Sequence, residues 1–330
     1  MSGRVIAADV GGTKTLMQLL ERRDGKWQAL EERRYESTLY PTFESLFREF
    51  HAAAGPAAAG CFAVAGPVSD GTARVTNLAW VIDAKRIAAE FGLERVIVVN
   101  DFYAIAASVP RLGEDDFEII HEAPRDPSSP IAILGAGTGL GEALVVPRPP
   151  DEWVVVPSEG GHSDFAPNNE AQDGLLRFLR ARYGHVSWER ALSGPGLVNI
   201  LTFLRDSRPD LAAHDFSVDA AEDDLPALIA TEDGRGNPLA RATFDLFVDV
   251  YGAEAGNLGL ECLARGGVFL AGGIAAKNVG RFRDGRFVRA FTDKGRLSSL
   301  VRQFPVFVIT NPKVGLLGAA WLAGGVANDE

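Results

Sequence analysis

Cysteine is scarce in this sequence of 330 residues, which contains only Cys61 and Cys262. Their wide separation fits neither a zinc-binding motif nor a disulfide framework. Both lie in apolar stretches, so we expect two buried free thiols in a reducing compartment.

Long apolar runs and clusters of positive charge are also missing. No stretch of about 18 uncharged apolar residues occurs, so we expect no transmembrane helix. Asp9 interrupts the first apolar run, so we expect no signal peptide. The chain has 33 basic and 44 acidic residues, a net charge of −11, and no long Lys or Arg run. We therefore expect a cytoplasmic protein that binds neither nucleic acid nor a membrane.

The remaining composition is that of an ordinary globular enzyme, with 46% hydrophobic and 23% charged residues. The length suggests one large domain or two lobes. Residues 111–130 are rich in Pro, Glu and Asp, and we interpret this segment as the connection between lobes.

One short strand ends in a polar pair. The run Arg95–Val99 is followed by Asn100 and Asp101, and such a run predicts a strand that is buried on both faces. In an open α/β sheet, ligands bind just beyond the carboxyl ends of the strands. Asp101 can therefore face a substrate, although Asn and Asp are also common residues of a plain turn.

Two strand–glycine–strand segments, at residues 4–20 and 130–146, predict β-hairpins. Glycine permits positive φ and allows a ligand to approach main-chain N–H groups. A phosphate could use those donors, and Asp9 could hold an accompanying Mg²⁺; the alternative is a plain hairpin. Neither segment is a P-loop or a dinucleotide fingerprint. The repetition indicates two similar lobes around a nucleotide cleft.

Three later residues have ordinary explanations when each is taken alone. Glu159 fits a surface turn, His162 a core histidine and Glu189 a helix carboxylate. A long helix is predicted over residues 237–264, and its glycines at 252, 256 and 259 suggest close packing against another element.

Together these motifs resemble the bacterial glucokinase family, within the hexokinase–actin group of sugar kinases, over essentially the whole chain. The segment 9–13 matches the first phosphate motif of that group, 135–139 matches the second, and 271–274 resembles the adenosine motif. No cysteine lies between Cys61 and Cys262, so the zinc motif of the related repressor family is absent, and we expect no DNA-binding extension of the kind those repressors carry. The chain therefore resembles the zinc-free branch.

The resemblance implies an α/β, two-lobed, ribonuclease H-like/actin-like ATPase fold with a nucleotide and sugar cleft between the lobes. It places residues 1–110 and about 312–330 in a small lobe, and 111–311 in a large lobe. It also suggests a homodimer.

The resemblance further implies ATP-dependent phosphorylation of the glucose 6-hydroxyl. Asp101 would be the general base, as in protein kinases, and Asp9 would hold Mg²⁺, directly or through water. The sugar ligands would be Asn100, Asp101, Glu159, His162 and Glu189. The residues at the ATP site would be Asp9, Gly11, Gly12, Thr13, Gly137, Thr138, Gly139, Gly272 and Gly273.

Other functions stay open at this point. Mannose, fructose or an N-acetylhexosamine could replace glucose, because epimers differ by one hydroxyl. ADP or polyphosphate could replace ATP as phosphoryl donor. A non-catalytic sugar-binding regulator is a further alternative, whereas the failed fingerprint disfavours a dehydrogenase.

Overall fold

The computed structural model describes residues 3–150, 152–217, 220–221 and 224–325. The chain is a mixed α/β protein that divides into two compact units. The first comprises Met1–Asp116, Val145–Val155 and Asn311–Glu330, and the second Phe117–Leu144 and Val156–Thr310. The lobe boundaries given above stay a prediction.

The strands and helices of the described residues are numbered here in chain order. The strands are β1 Arg4–Val10, β2 Lys14–Arg23, β3 Lys26–Glu36, β4 Ala59–Val64, β5 Val68–Ser69, β6 Thr72–Arg74, β7 Val81–Asp83, β8 Arg95–Asn100, β9 Phe117–His121, β10 Ile131–Ala136, β11 Leu140–Arg148, β12 Glu152–Ser158, β13 Val268–Ala271 and β14 Val306–Ile309. The helices are α1 Phe43–Ala54, α2 Ala84–Phe91, α3 Asp101–Ser108, α4 Glu170–Tyr183, α5 Gly194–Ser207, α6 Pro209–Ala212, α7 Leu225–Gly234, α8 Pro238–Cys262, α9 Gly273–Lys277, α10 Val279–Arg283, α11 Arg286–Thr292, α12 Ser298–Val301 and α13 Val314–Ala323.

The first unit is built on a sheet with the order β3-β2-β1-β4-β8. Strands β1 and β2 form the predicted antiparallel hairpin. Strands β1, β4 and β8 run parallel to one another, so their carboxyl ends meet at one edge of the sheet. This edge carries the polar residues that follow the apolar runs.

Both faces of this sheet are covered. On one face, Ile6 and Ala8 belong to a buried cluster with the α1 residues Phe43 and Phe47. On the other face, Val5 and Ala7 pack with residues of α13. Alternate side chains of β1 thus enter two separate apolar cores, which explains why the strand is an almost continuous apolar run.

The second unit contains a sheet with the order β12-β11-β10-β13-β14-β9. Strands β10, β13 and β14 are parallel, and β9 pairs antiparallel with β14 at the edge. The parts of β11 and β12 that lie within Val145–Val155 group with the first unit. Strand β9 lies in the segment that we interpreted only as a connection.

The predicted long helix is present as α8, and its glycines do lie at close contacts. A Cβ atom on Gly252 would come within 2.5 Å of the Phe287 carbonyl oxygen of α11. A Cβ on Gly256 would overlap the Phe291 carbonyl oxygen of the same helix. The inference of close packing from these glycines is confirmed.

The polar segment of residues 206–224 is partly helical. Helix α5 continues to Ser207, and the short helix α6 follows at Pro209–Ala212. Residues 218, 219, 222 and 223 of that segment lie outside the described residues. None of the helices in the described part of the chain is long and apolar enough to cross a membrane.

The prediction of two buried free thiols is confirmed in part. Both thiols are free, but only Cys61 is fully buried, whereas Cys262 is partly exposed. Burial raises the pKa of each thiol, to about 11 for Cys262. Neither thiol therefore has the thiolate character of a reactive cysteine.

Candidate functional site

The carboxyl edge of the first sheet brings Asp9 and Asp101 together. Asp9 pairs with Ala63 of β4, and Ala63 pairs with Val99 of β8. Asp101 follows Val99 by two residues, so the two carboxylates lie across one intervening strand. Residues 92 positions apart in the sequence thus become electrostatic neighbours.

The protonation of these two aspartates reflects their surroundings. Loss of solvation, followed by the negative charge of Asp101, raises the pKa of Asp9 to about 6, although its side chain stays accessible to solvent. Loss of solvation also raises the pKa of Asp101, while hydrogen bonds from Phe102 and its own N–H oppose the change. Both carboxyl groups at this edge are therefore protonated more readily than a fully solvated aspartate.

Asn100 is the N-cap of α3. Its Oδ1 accepts from the N–H groups of Phe102 at 2.9 Å and Tyr103 at 3.4 Å, and its Nδ2 donates to the Gly66 carbonyl at 3.3 Å. The helix therefore starts at Asp101, and the capping bonds fix the direction of its first turn. Asn100 is thus the last residue of β8, and Asp101 is the first residue of α3.

The turn at Gly11 and Gly12 needs glycine for space. Neither residue has a positive φ, so the expectation based on backbone freedom is wrong here. A Cβ on Gly12 would lie 2.6 Å from the Thr76 carbonyl oxygen. Ser37 secures the turn by donating to the Gly11 carbonyl at 2.8 Å, and Thr13 beside it is exposed.

The second glycine turn, Gly137–Gly139, is tied to Glu189. The N–H of Leu140, directly after the turn, donates to Glu189 Oε2 at 2.9 Å. A Cβ on Gly139 would lie 2.6 Å from the same oxygen. The N–H of Gly194 donates to the Gly137 carbonyl at 2.7 Å. Hydrogen bonds therefore hold the second glycine turn to the segment that carries Glu189.

Glu159, His162 and Glu189 face one another at the end of β12. His162 Nε2 lies 3.9 Å from Glu159 Oε2, and His162 Nδ1 lies 3.9 Å from Glu189 Oε1. The three side chains are 92%, 60% and 30% exposed, in the order Glu159, His162 and Glu189. The alternative of a core histidine is therefore wrong. Two carboxylates and an imidazole are open to a polyhydroxylated ligand.

The glycine pair of the proposed adenosine motif starts α9. Gly272 has a φ of +84°, and a Cβ there would overlap the Ala136 carbonyl oxygen of β10. Gly273 has open space around it, with Lys277 Cε 4.0 Å from the position of a Cβ. Only a glycine at 272 lets the chain turn this closely against β10.

Sequence reasoning missed Glu142, which follows the second glycine turn on β11. Its side chain is 4% exposed and lies against Gly160, where a Cβ would overlap Glu142 Oε2. The only sign of Glu142 in the sequence was a single acidic residue inside the apolar run that forms β11.

The comparison with known proteins covers nearly the whole chain. The family model described as glucokinase matches residues 6–325. A glucokinase of Synechocystis sp. is 39% identical, over 97% of this chain and 98% of that protein. This chain belongs to the glucokinase family.

Solved structures of glucokinases share the fold. The glucokinase from an Antarctic psychrotroph has a TM-score of 0.87 at 29% identity, over 98% of this chain and 99% of that chain. The ROK family glucokinase from Streptomyces griseus, solved with glucose and AMPPNP, has a TM-score of 0.64 at 22% identity, over 97% and 99%. The fold is that of the actin-like ATPases, and the chain is an ATP-dependent hexose kinase.

The ligand atoms available at the proposed ATP site suit Mg²⁺ better than a transition metal. Among the described residues, no three His, Cys, Asp or Glu side chains are grouped as metal ligands. Magnesium typically takes one or two protein carboxylates and completes its shell with water and phosphate oxygens. Asp9 supplies such a carboxylate at the carboxyl edge of the first sheet, so it fits such an ion.

Proposed function

We propose that this hexose kinase acts on glucose and transfers the γ-phosphoryl group of ATP to the 6-hydroxyl, with Asp101 as general base. The observation that carries the proposal is the position of Asp101 at the carboxyl edge of β8, beside Asp9. The glucose complex of the Streptomyces griseus glucokinase supports the choice of sugar.

Asp101 is suited to accept a proton. Its pKa is raised by loss of solvation, and a carboxylate is a stronger base when its pKa lies closer to neutral pH. The Phe102 N–H holds Oδ1 at 2.9 Å, and we assign Oδ2 to the sugar hydroxyl. The proton of the 6-hydroxyl passes to Asp101 as the oxygen attacks the γ-phosphorus and ADP leaves.

The phosphate groups are assigned to the two glycine turns. Their main-chain N–H groups at Gly11–Thr13 and Gly137–Gly139 would donate to phosphate oxygens. Asp9 would hold the Mg²⁺, which neutralises charge on the phosphates when it is bound. The backbone at Gly272 and Gly273 would lie beside the adenosine.

The sugar hydroxyls are assigned to five polar residues, which are Asn100, Asp101, Glu159, His162 and Glu189. Charged groups form stronger hydrogen bonds to hydroxyls than neutral groups do. A site that pairs each hydroxyl also discriminates strongly against sugars that lack one.

The first experiment measures ADP release from ATP–Mg²⁺ with glucose, mannose, fructose and an N-acetylhexosamine, with a control that contains no sugar. Turnover with glucose well above the other sugars supports the proposal. A clear preference for another hexose would keep the phosphoryl transfer but replace the substrate.

The role of Asp101 is tested with Asp101→Asn, which keeps the size of the side chain and removes the base. We expect kcat to fall by about 10²- to 10⁴-fold, the usual contribution of a general base, while the Kd for glucose changes far less than kcat. A near-normal kcat would remove Asp101 from the role of base.

The sugar assignment is tested with Glu159→Gln. We expect a higher KM for glucose and an unchanged KM for ATP, because a charge-assisted hydrogen bond to the sugar is lost. Glu170→Gln, an exposed position at the start of α4, is the matched control. An unchanged KM for glucose in Glu159→Gln would remove this residue from the sugar site.

A homodimer and a cytoplasmic location stay predictions. Size-exclusion chromatography with light scattering tests the first, and cell fractionation tests the second.

A further inference from the structure

Two carboxyl groups are buried behind the glycine turn of the second unit, and the proposed reaction uses neither of them. Glu142 of β11 is 4% exposed and Glu254 of α8 is 5% exposed. The two carboxyl groups are neighbours, and each influences the ionisation of the other. The Oε1 atom of Glu142 is buried and has no hydrogen-bond partner among the described residues.

Two buried carboxyl groups that are neighbours favour a shared proton. An ionised carboxylate can only accept hydrogen bonds, so the two groups can bond to each other only when one of them is protonated. Two ionised carboxylates at such a site would lose solvation and repel each other. Loss of the last proton from the pair is therefore unfavourable in the folded state.

The neighbouring groups do not neutralise the pair. Lys294 Nζ is 2.7 Å from the Ala253 carbonyl and 2.6 Å from Asn257 Oδ1, so it donates to these two acceptors. Asn257 in turn donates to Glu254 Oε2 at 2.9 Å. The positive charge of Lys294 therefore acts on the carboxyl pair mainly through the side-chain amide of Asn257.

The ionisation of the pair is shifted towards neutral pH. Burial raises the pKa of Glu142 to about 7 and that of Glu254 to about 8. The negative charge of Glu261 on α8 adds to both shifts, and Lys294 opposes the shift of Glu254. Tyr251 also faces the pair from α8, but its own pKa is raised far above neutral by burial. The two carboxyls titrate as one coupled unit.

Glu142 also supports the segment that carries the proposed sugar ligands. Its Oε2 occupies the space where a Cβ of Gly160 would lie. The N–H of Gly160 donates to Ser158 Oγ at 2.9 Å, and a Cβ on Gly161 would overlap the Leu140 carbonyl oxygen. The short helix Gly160–His162 therefore rests directly on the first residues of β11.

We infer that Glu142 and Glu254 share one proton and that this pair positions the Gly160–His162 segment, so that loss of the proton weakens sugar binding. The inference rests on the proposed sugar role of Glu159 and His162. When both carboxyls ionise, their repulsion moves Glu142 against Gly160 or draws water between the side chains. Either change displaces the backbone beneath His162. Glu142 is thus a positioning residue for the sugar.

The test measures KM for glucose and for ATP between about pH 6 and pH 9, the range where the pair titrates. The variants are Glu142→Gln and Glu254→Gln, which imitate a protonated carboxyl, with exposed Glu122→Gln as the control. In the unmodified enzyme we expect KM for glucose to rise at the alkaline end, approaching about tenfold per pH unit beyond the titration. The KM for ATP should change much less.

The comparison between variants isolates the pair. Glu142→Gln should show a nearly flat KM for glucose, whereas Glu122→Gln should follow the unmodified enzyme. The same alkaline rise in Glu142→Gln, Glu254→Gln and the unmodified enzyme would overturn the inference.

An infrared measurement reports on the shared proton without any kinetics. We expect the C=O stretch of a protonated carboxyl in the folded enzyme at neutral pH, and its loss in the double variant Glu142→Gln with Glu254→Gln. A spectrum without this band at neutral pH would refute the shared proton, even if a variant folded poorly. Unchanged KM for glucose in both Glu159→Gln and His162→Ala would instead show that the sugar assignment is at fault.

Discussion

Glu189 illustrates, at the scale of single residues, how one side chain serves two segments. Its Oε2 accepts from the Leu140 N–H at 2.9 Å, while its Oε1 faces His162 Nδ1 at 3.9 Å. The carboxylate thus holds the second glycine turn and also faces the proposed sugar site. A change at Glu189 should therefore affect two substrates.

We predict different results for Glu189→Gln and Glu189→Ala. Glutamine can still offer its amide oxygen to Leu140, so the KM for glucose should rise while the KM for ATP changes little. Alanine removes the acceptor, and both KM values should rise by about 10- to 100-fold, since a hydrogen bond to a charged group contributes about 1.5–3 kcal/mol. Steady-state kinetics with each substrate varied in turn checks this.

One result would contradict the prediction for Glu189→Ala. A normal KM for ATP in Glu189→Ala would show that the glycine turn keeps its shape without this carboxylate. Circular dichroism of both variants is needed beside the kinetics, because Glu189 is partly buried.

At the scale of elements, α3 and α13 are packed too closely for a side chain between them. Helix α3 carries Asp101 at its start, and a Cβ on Gly318 of α13 would overlap the Ala104 carbonyl oxygen of α3. Gly315, on the same helix, has only Ile105 Cγ1 at 3.9 Å from the position of a Cβ. The two glycines are therefore a matched pair for testing how α3 is positioned.

We predict that Gly318→Ala lowers the free energy of unfolding by about 1–3 kcal/mol, the usual cost of overpacking. It should also lower kcat, because α3 must move away from α13 and takes Asp101 with it. Gly315→Ala should be neutral or stabilising by up to about 1 kcal/mol, from the higher helix propensity of alanine. Urea denaturation and steady-state kinetics measure both effects, and equal stability of the two variants would contradict the argument.

At the scale of the whole molecule, the raised carboxyl pKa values make stability depend on pH. The pKa values of Asp9, Glu142 and Glu254 rise to about 6, about 7 and about 8 in the folded state. The folded chain therefore binds more protons than the unfolded chain from the ordinary carboxyl range up to these values. Stability must then fall as pH rises through that window.

We predict a lower free energy of unfolding at pH 8 than at pH 6, with a smaller difference in Glu142→Gln than in the unmodified enzyme. Chemical denaturation at constant ionic strength measures the difference. A free energy of unfolding that increases from pH 6 to pH 8 would contradict the assignment of raised pKa values to these buried carboxyls.

Ligand binding should raise the melting temperature of the whole protein. A ligand at 100 times its Kd stabilises the folded state by about 2.7 kcal/mol, so glucose and ATP–Mg²⁺ should each raise Tm. Nicotinamide nucleotides should leave Tm unchanged, because neither glycine turn fits their fingerprint. A shift with NADH and none with ATP–Mg²⁺ would contradict the kinase assignment.

Much of the local structure followed from the sequence because local patterns determine it. The first hairpin, strand β8 and the long helix α8 agree with the predictions, since glycine turns and apolar patterns act locally along the chain. Strand β9 was missed, because its pairing at the edge of the sheet depends on β14, which lies far away in the chain. Helix α7 was also missed, and its start has no capping bond from a side chain.

The sequence by itself determined the family, because the motifs and their order are local in the chain. Only the tertiary structure decided which ionisable side chains become neighbours in space. Asp9 and Asp101 become neighbours through the pairing of β1, β4 and β8, and Glu142 reaches Glu254 only because β11 lies near α8. The physical reason is that a pKa or a shared proton depends on distance and burial, and strand pairing and packing set both.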